Sequence, residues 1–129
     1  MGRIIGGIAA GIVVAMATIM GLELIGHILY PLPPEADVRT LPLWAQLFVL
    51  SGWFLGALSG GATAALIARR AWPAWLIAAF VAVGGIVIIF MLPHPELMQV
   101  GAVIAPAAGG LLAGHFARAR LRSRAAATL

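Results

Sequence analysis

Long apolar runs separated by short polar segments dominate the chain. The runs are continuous and lack the alternation of apolar and polar positions that is typical of β-barrel strands. Each reaches the roughly 20 residues that a helix needs to cross about 30 Å of hydrocarbon. They predict four transmembrane helices, over Ile4–Tyr30, Leu43–Ala68, Trp72–Leu92 and Leu97–Ala117. The first two runs are the longest, so we expect those helices to tilt or to emerge from the membrane.

The polar segments between these runs are rich in proline or arginine. Residues 31–42 contain four prolines together with acidic side chains, and residues 93–96 read Pro-His-Pro-Glu. Proline lacks an amide proton and restricts the residue before it, so neither segment can continue a helix. The second connection is only Arg69-Arg70-Ala71, and Pro73 suits the first turn of the helix that follows.

The composition excludes an ordinary soluble domain. The chain has 129 residues, of which 63 % are hydrophobic and only 9 % are charged, and its mean hydropathy is +1.08. Soluble domains carry about 25 % charged residues. Helices satisfy every backbone polar group within lipid. We therefore predict an all-α fold, a polytopic membrane bundle of four transmembrane helices that forms a single domain over residues 1–129, with the lipid bilayer as its main partner.

The distribution of arginine predicts the orientation of the bundle. Arg39 alone lies on one side, and seven arginines lie on the other: Arg3, Arg69, Arg70, Arg118, Arg120, Arg122 and Arg124. Cytoplasmic loops carry an excess of basic residues, so we expect both termini to be cytoplasmic, an N-in/C-in topology. The net charge of +4 follows from this topology. The chain contains no basic stretch with interleaved aromatic residues, which is the pattern that would indicate nucleic-acid binding.

The first apolar run also raises the question of a cleaved signal peptide. Arg3 precedes it, and Ala15-Met16-Ala17 resembles a cleavage site. The apolar stretch continues well past that point, which favours a retained helix.

Small residues recur four positions apart in the second and fourth runs. Gly52, Gly56 and Gly60 share one helix face, and Gly101 and Gly109 share another. Helices can approach closely where side chains are missing. Two interpretations stay open: packing of the bundle itself, and association with a second copy or with a larger membrane complex.

Glu23 and His27 are the only ionisable residues between Ile4 and Leu29. A charge at mid-bilayer costs about 2.5–3.5 kcal/mol on insertion scales. The i,i+4 spacing of the two residues allows a hydrogen bond between their side chains on one helix face. Either neighbouring polar groups therefore offset the energetic cost of this pair, or the pair serves the function of the protein.

His94 and Glu96 occupy the other turn on the same side of the predicted membrane. We expect them to converge with Glu23 and His27 beneath the outer surface, where Tyr30 marks the interface. Three interpretations compete. The Glu–His pair stabilises the bundle, or the cluster binds a divalent metal through Glu23, His27 and His94, or Glu23 carries a proton in coupled transport.

Signatures of catalysis and of bound cofactors are missing. The chain has no cysteine, which excludes thiolate nucleophiles and cysteine-ligated zinc or iron–sulfur sites. It has no Gly-rich phosphate loop, no His-Glu-x-x-His and no Gly-x-Ser-x-Gly. His115 lies at the opposite end from His27 and His94, which disfavours a bis-histidine haem. We predict that the protein is not an enzyme, and its sequence requires no cofactor.

The end of the first run also carries a resemblance. The stretch Glu23–Pro34, Glu-Leu-Ile-Gly-His-Ile-Leu-Tyr-Pro-Leu-Pro-Pro, resembles small, uncharacterised bacterial four-helix membrane proteins. In these the first helix ends in Glu-x-x-Gly-His-x-x-Tyr-Pro before a proline-rich acidic loop. Leu58–Ala62 and the later Pro-His-Pro turn fit the same picture. The resemblance implies a bacterial inner-membrane location and gives weight to Glu23, His27 and Tyr30, and it implies no activity.

Two functions are consistent with these patterns. The first is a non-enzymatic inner-membrane protein whose glycine-lined faces associate with a second copy or with a larger complex. The alternative is a small proton-, ion- or metal-coupled carrier that uses the intramembrane Glu/His cluster.

Overall fold

The computed structural model describes residues 1–129 and is entirely helical. Each of its four long helices is long and apolar enough to cross a membrane, which confirms that part of the prediction. One short 3-10 helix, Val38–Thr40, lies in the first connection. The long helices are α1 (Gly2–Leu29), α2 (Leu43–Ala68), α3 (Pro73–Met91) and α4 (Glu96–Ala127).

The fourth helix differs most from the sequence prediction. It does not end at Ala117 but continues to Ala127. The added residues are mostly alanine and arginine, with one leucine, and these are among the best helix formers. The Arg120 guanidinium also lies 5.5 Å from the ring centroid of Phe116, one turn earlier on the same helix, a contact that favours the helical state. The apolar run therefore stops before the helix does.

Two helices begin with the same hydrogen-bonded arrangement. The first residue before α2 is Pro42 and the first before α4 is Pro95. Four residues after each proline, a glutamine side chain donates back to the carbonyl that precedes the proline. Gln46 Nε2 donates to Leu41 O at 2.7 Å, and Gln99 Nε2 donates to the equivalent carbonyl at 3.0 Å. Each glutamine ties the incoming chain to the first turn of its helix.

The four helices run up, down, up and down. We call the end with the N-terminus and the α2–α3 turn the terminal end, and the end with the two proline-rich connections the loop end. Helix α2 packs against all three other helices. Helix α3 contacts the other three, touching α1 least, whereas α1 and α4 do not touch. Helix α2 is therefore the centre of the bundle.

Small residues bring the backbones of α1 and α2 together. A Cβ atom on Gly60 would lie 2.5 Å from the carbonyl oxygen of Gly11, and one on Gly7 would lie 2.7 Å from Ala64 O. Toward the loop end a Cβ on Gly56 would meet Ile19 Cγ1 at 2.6 Å. These positions have no room for a side chain, so glycine sets how closely the two helices pack.

The other glycines that the sequence predicts to pack helices also lie inside the bundle. Gly109 of α4 lies against the backbone of Phe54 in α2, and Gly101 lies against the Leu50 side chain. Gly52 faces Leu22 of α1, where a Cβ on the glycine would lie 3.8 Å from the leucine side chain. All five glycines are buried, so these faces are occupied by helices of the same molecule.

Candidate functional site

The loop ends of α1 and α2 enclose a small cleft. Gly26 is buried and rests on the Phe48 ring, where a Cβ would approach within 2.9 Å of Cδ1. The missing side chain lets α1 lie directly on this aromatic residue of α2. Beside the contact is a cleft of about 190 Å³. Its walls come from the last two turns of α1, from the start of α2 and from the first connection.

Both ionisable residues of α1 line this cleft. Glu23 and His27 lie on its α1 wall, and Tyr30 lies at its loop end. The Tyr30 ring packs against Trp44 of α2, with ring centroids 4.7 Å apart and planes tilted by 43°. Aromatic pairs of this geometry are stabilising. The pair holds the end of α1 against the start of α2 and so fixes the width of the cleft.

The hydrogen bond expected between Glu23 and His27 is not formed. The two side chains share one side of α1 and are close enough for their charges to interact, but no hydrogen bond joins them. Both residues are exposed, although each also lines the cleft against α2. The carboxylate lies about 9 Å from the end of α1, at a rise of 1.5 Å per residue. It is thus a polar group within a helix apolar enough to cross a membrane, and His27 is its charged neighbour in the chain.

The structure does not assemble the predicted four-residue cluster. His94 lies in the α3–α4 turn, where its Nδ1 is 2.7 Å from Leu92 O. Glu96 is exposed in the first turn of α4, a position favoured for an acidic side chain by the helix dipole. Neither residue lines the cleft that holds Glu23 and His27, and α4 does not touch α1. The expectation of convergence overlooked which helices are neighbours.

A metal site from these residues is likewise not formed. No group of three or more His, Cys, Asp or Glu side chains in the protein is close enough to hold a metal ion. Glu23 and His27 by themselves would supply two ligands, fewer than the three or four protein ligands of typical zinc sites.

Glu23 also borders a second, larger space. A groove of about 380 Å³ runs between α1 and α3, and its walls include Met16 and Ile19 from α1 and Phe80 from α3. Trp53 of α2 forms part of the same groove, where its ring packs against Gly85. Glu23 lines both spaces, so the cleft and the groove adjoin at this residue. The other residues named here are apolar, so this carboxylate is the main polar feature of the groove.

One polar contact inside the bundle escaped the sequence analysis. The Oγ1 of Thr18 in α1 and the Oγ of Ser59 in α2 are 2.9 Å apart and share a hydrogen bond. Thr18 Oγ1 also lies 2.8 Å from Val14 O, and Ser59 Oγ lies 2.7 Å from Leu55 O. Two hydroxyls on different helices give no spacing signal in the sequence, so only the packing of α1 on α2 reveals their pairing.

This arrangement can accept hydrogen bonds or pair with a cation at the Glu23 carboxylate, within walls that are apolar apart from His27 and Tyr30. No protein-family model, curated protein or solved structure matches the chain.

Proposed function

We propose that this chain is a non-enzymatic integral membrane protein that assembles with another transmembrane chain through α1. The observation that carries the proposal is the carboxylate of Glu23, which lies within a helix apolar enough to cross a membrane and makes no hydrogen bond in its own chain. Leaving a carboxylate exposed to lipid is costly. A neighbouring helix that offers a donor would remove that cost.

The coverage of the helices supports α1 as the associating element. Only 11 % of the apolar window of α1 is buried inside the protein, against 28–39 % for the other three helices. Its side away from α2, which we call the free face, includes Gly6, Val13 and Met20, and all three are exposed. Exposed glycine with open space around it, as at Gly6, lets a second backbone approach.

The location follows from the arrangement of arginines. Seven of the eight arginines belong to the terminal end or to the extension of α4, and Arg39 belongs to the loop end. By the positive-inside rule we place both termini in the cytoplasm and the proline-rich connections outside. Together with the resemblance of residues 23–34, this supports the inner membrane of a bacterium.

The carrier alternative rests on the same carboxylate. Glu23 opens onto a cleft at the loop end together with His27, which is a position suited to proton exchange. The structure lends it less support, because His94 and Glu96 do not join the pair. If Glu23→Gln abolished a proton- or metal-dependent flux through the folded protein without changing its assembly, the carrier would be the better account.

Assembly is tested by native mass spectrometry of the protein ejected from its own membranes. We expect a species heavier than the 13.3 kDa single chain. A large side chain on the free face, Val13→Trp, should abolish that species because it blocks helix approach. Val103→Trp on α4 is the matched control, since Val13 and Val103 are both exposed valines, at 67 % and 50 %. A single chain at every protein concentration, or equal loss in both variants, would refute the proposal.

A further inference from the structure

The free face of α1 has the periodicity of a two-helix seam. Starting at Gly6, exposed residues recur alternately three and four positions apart: Gly6, Ala9, Val13, Met16 and Met20. The same series continues to Glu23 and His27, which are also exposed. A repeat averaging 3.5 residues keeps one stripe facing a partner helix along its whole length. Every position of this series is uncovered in the isolated chain.

The opposite side of α1 is already used by α2. Gly7, Gly11 and Ala15 are buried there and are spaced by four, whereas Gly6, Val13 and Met20 lie on the other side of the helix. Glu23 and His27 lie at the edge of the α1–α2 cleft and remain exposed. A second helix can therefore pack on α1 without displacing α2. Without a hydrophobic driving force between helices in lipid, such packing depends on small residues and on polar contacts. The series has small residues near the terminal end and polar ones near the loop end.

The polar pair identifies the partner. In a parallel pair of helices with this repeat, Glu23 occupies a d position and His27 the next a position, and a d side chain packs beside the following a side chain of the other helix. The acid of each chain then meets the imidazole of the other. A second copy supplies an acceptor and a donor at matching depths on both sides of a two-fold axis. A different helix would need both groups at the same two heights.

We propose that the partner of α1 is α1 of a second copy, in a parallel two-fold dimer closed by two reciprocal Glu23–His27 contacts. This inference rests on the proposed function and specifies its partner. It also gives the Glu23 carboxylate a hydrogen-bond partner, which its own chain does not supply. The two ends of the seam play different parts: Gly6 and Ala9 set the helix distance, and the polar pair sets the register.

Disulfide trapping tests the geometry, since the natural chain contains no cysteine. Met16→Cys places a thiol on the seam, and Ile104→Cys places one on the exposed side of α4, where the isoleucine is 60 % exposed. With copper phenanthroline as oxidant in native membranes, we expect a covalent dimer for Met16→Cys and little for the control. No dimer at Met16, or equal dimer at both sites, would overturn the inference.

A charge exchange tests the polar contacts. Glu23→Gln should weaken the dimer about tenfold, as expected from two hydrogen bonds of the strength measured between membrane helices. Glu23→His alone should weaken it more, because two imidazoles then face each other. The double variant Glu23→His with His27→Glu should restore association, since the reciprocal contacts are recreated with their directions reversed. Helical content by circular dichroism shows that each variant has folded.

The possible results separate this inference from the proposed function. A native mass of two chains with charge-exchange recovery supports both. An assembly that contains a different chain supports the proposed function and overturns the second copy as partner. A dimer whose stability is unchanged by Glu23→Gln and by the charge exchange overturns the proposed reciprocal contacts. A single chain under all conditions refutes the inference and the proposed function together.

Discussion

At the scale of single residues, Gly60 shows how little tolerance the packing has. It lies at the contact between α1 and α2, and its Cβ position is 2.5 Å from Gly11 O and 2.7 Å from Ala15 Cβ. One of these contacts is to backbone, which cannot move aside as a flexible side chain can. The separation of the two helices at this point is therefore set by the absence of one methyl group.

Replacing this glycine should separate the two helices. We expect Gly60→Ala to lower the free energy of unfolding by about 1–3 kcal/mol, the usual cost of overpacking a close contact. Gly84→Ala in α3 is the control, because no atom lies within 4 Å of its Cβ position. There alanine should be neutral or stabilising, since it is the better helix former. Reversible unfolding in mixed micelles measures the free energy of unfolding of both variants. An equal decrease in the two variants would contradict the close packing at Gly60.

At the scale of the helices, the contact between α1 and α2 combines close backbones with one polar link. Thr18 and Ser59 form the only side-chain to side-chain hydrogen bond of the protein. In lipid such bonds are worth about 0.6 kcal/mol on average, with a maximum near 1.7 kcal/mol. The link adds a modest stabilisation and defines the register of one helix on the other.

A double-mutant cycle measures this link. The variants are Thr18→Val, Ser59→Ala and the pair together, with unfolding in micelles as the measurement. We expect a coupling energy of about 0.5–1.5 kcal/mol, because each single change breaks the same bond. Thr63→Val combined with Thr18→Val is the control cycle, since Thr63 Oγ1 donates to Ser59 O within its own helix. Similar coupling in both cycles would argue against a specific Thr18–Ser59 contact.

The apolar runs were sufficient to predict the helices but not their neighbours. Continuous hydrophobicity of about 20 residues specifies a membrane span in any context, so α2 was predicted with its observed bounds, Leu43–Ala68. The order of helices around α2 depends on which small residues meet, and spacing alone does not reveal that. The expected convergence of Glu23 with Glu96 failed for this reason, because α4, which carries Glu96, does not touch α1.

At the scale of the whole molecule, the two ends of the bundle differ in charge and in shape. The loop end has short proline turns and one arginine, Arg39. The terminal end has the Arg69–Arg70 turn and the extension of α4, which carries four further arginines. Anionic lipid attracts such residues by about 1 kcal/mol each near the surface. This asymmetry is the physical basis for the orientation that we propose.

Single cysteines can test the orientation directly, because the background is free of thiols. Asp37→Cys in the first connection should react with a membrane-impermeant maleimide in intact cells. Arg122→Cys in the α4 extension should react only after the membrane is permeabilised, because the positive-inside rule places it in the cytoplasm. Both residues are exposed, so accessibility of the side chain does not distinguish them. The reverse labelling pattern would invert the topology.

The central place of α2 has a consequence for biosynthesis. A chain enters the membrane from its N-terminus, so α1 is followed directly by the helix against which it packs most extensively. The α1–α2 hairpin can form while the ribosome is still translating, and α3 and α4 can then pack against its completed surface. Helix α1 consequently does not have to insert between helices that have already packed, and its uncovered side is available to a neighbouring nascent chain from the start of folding.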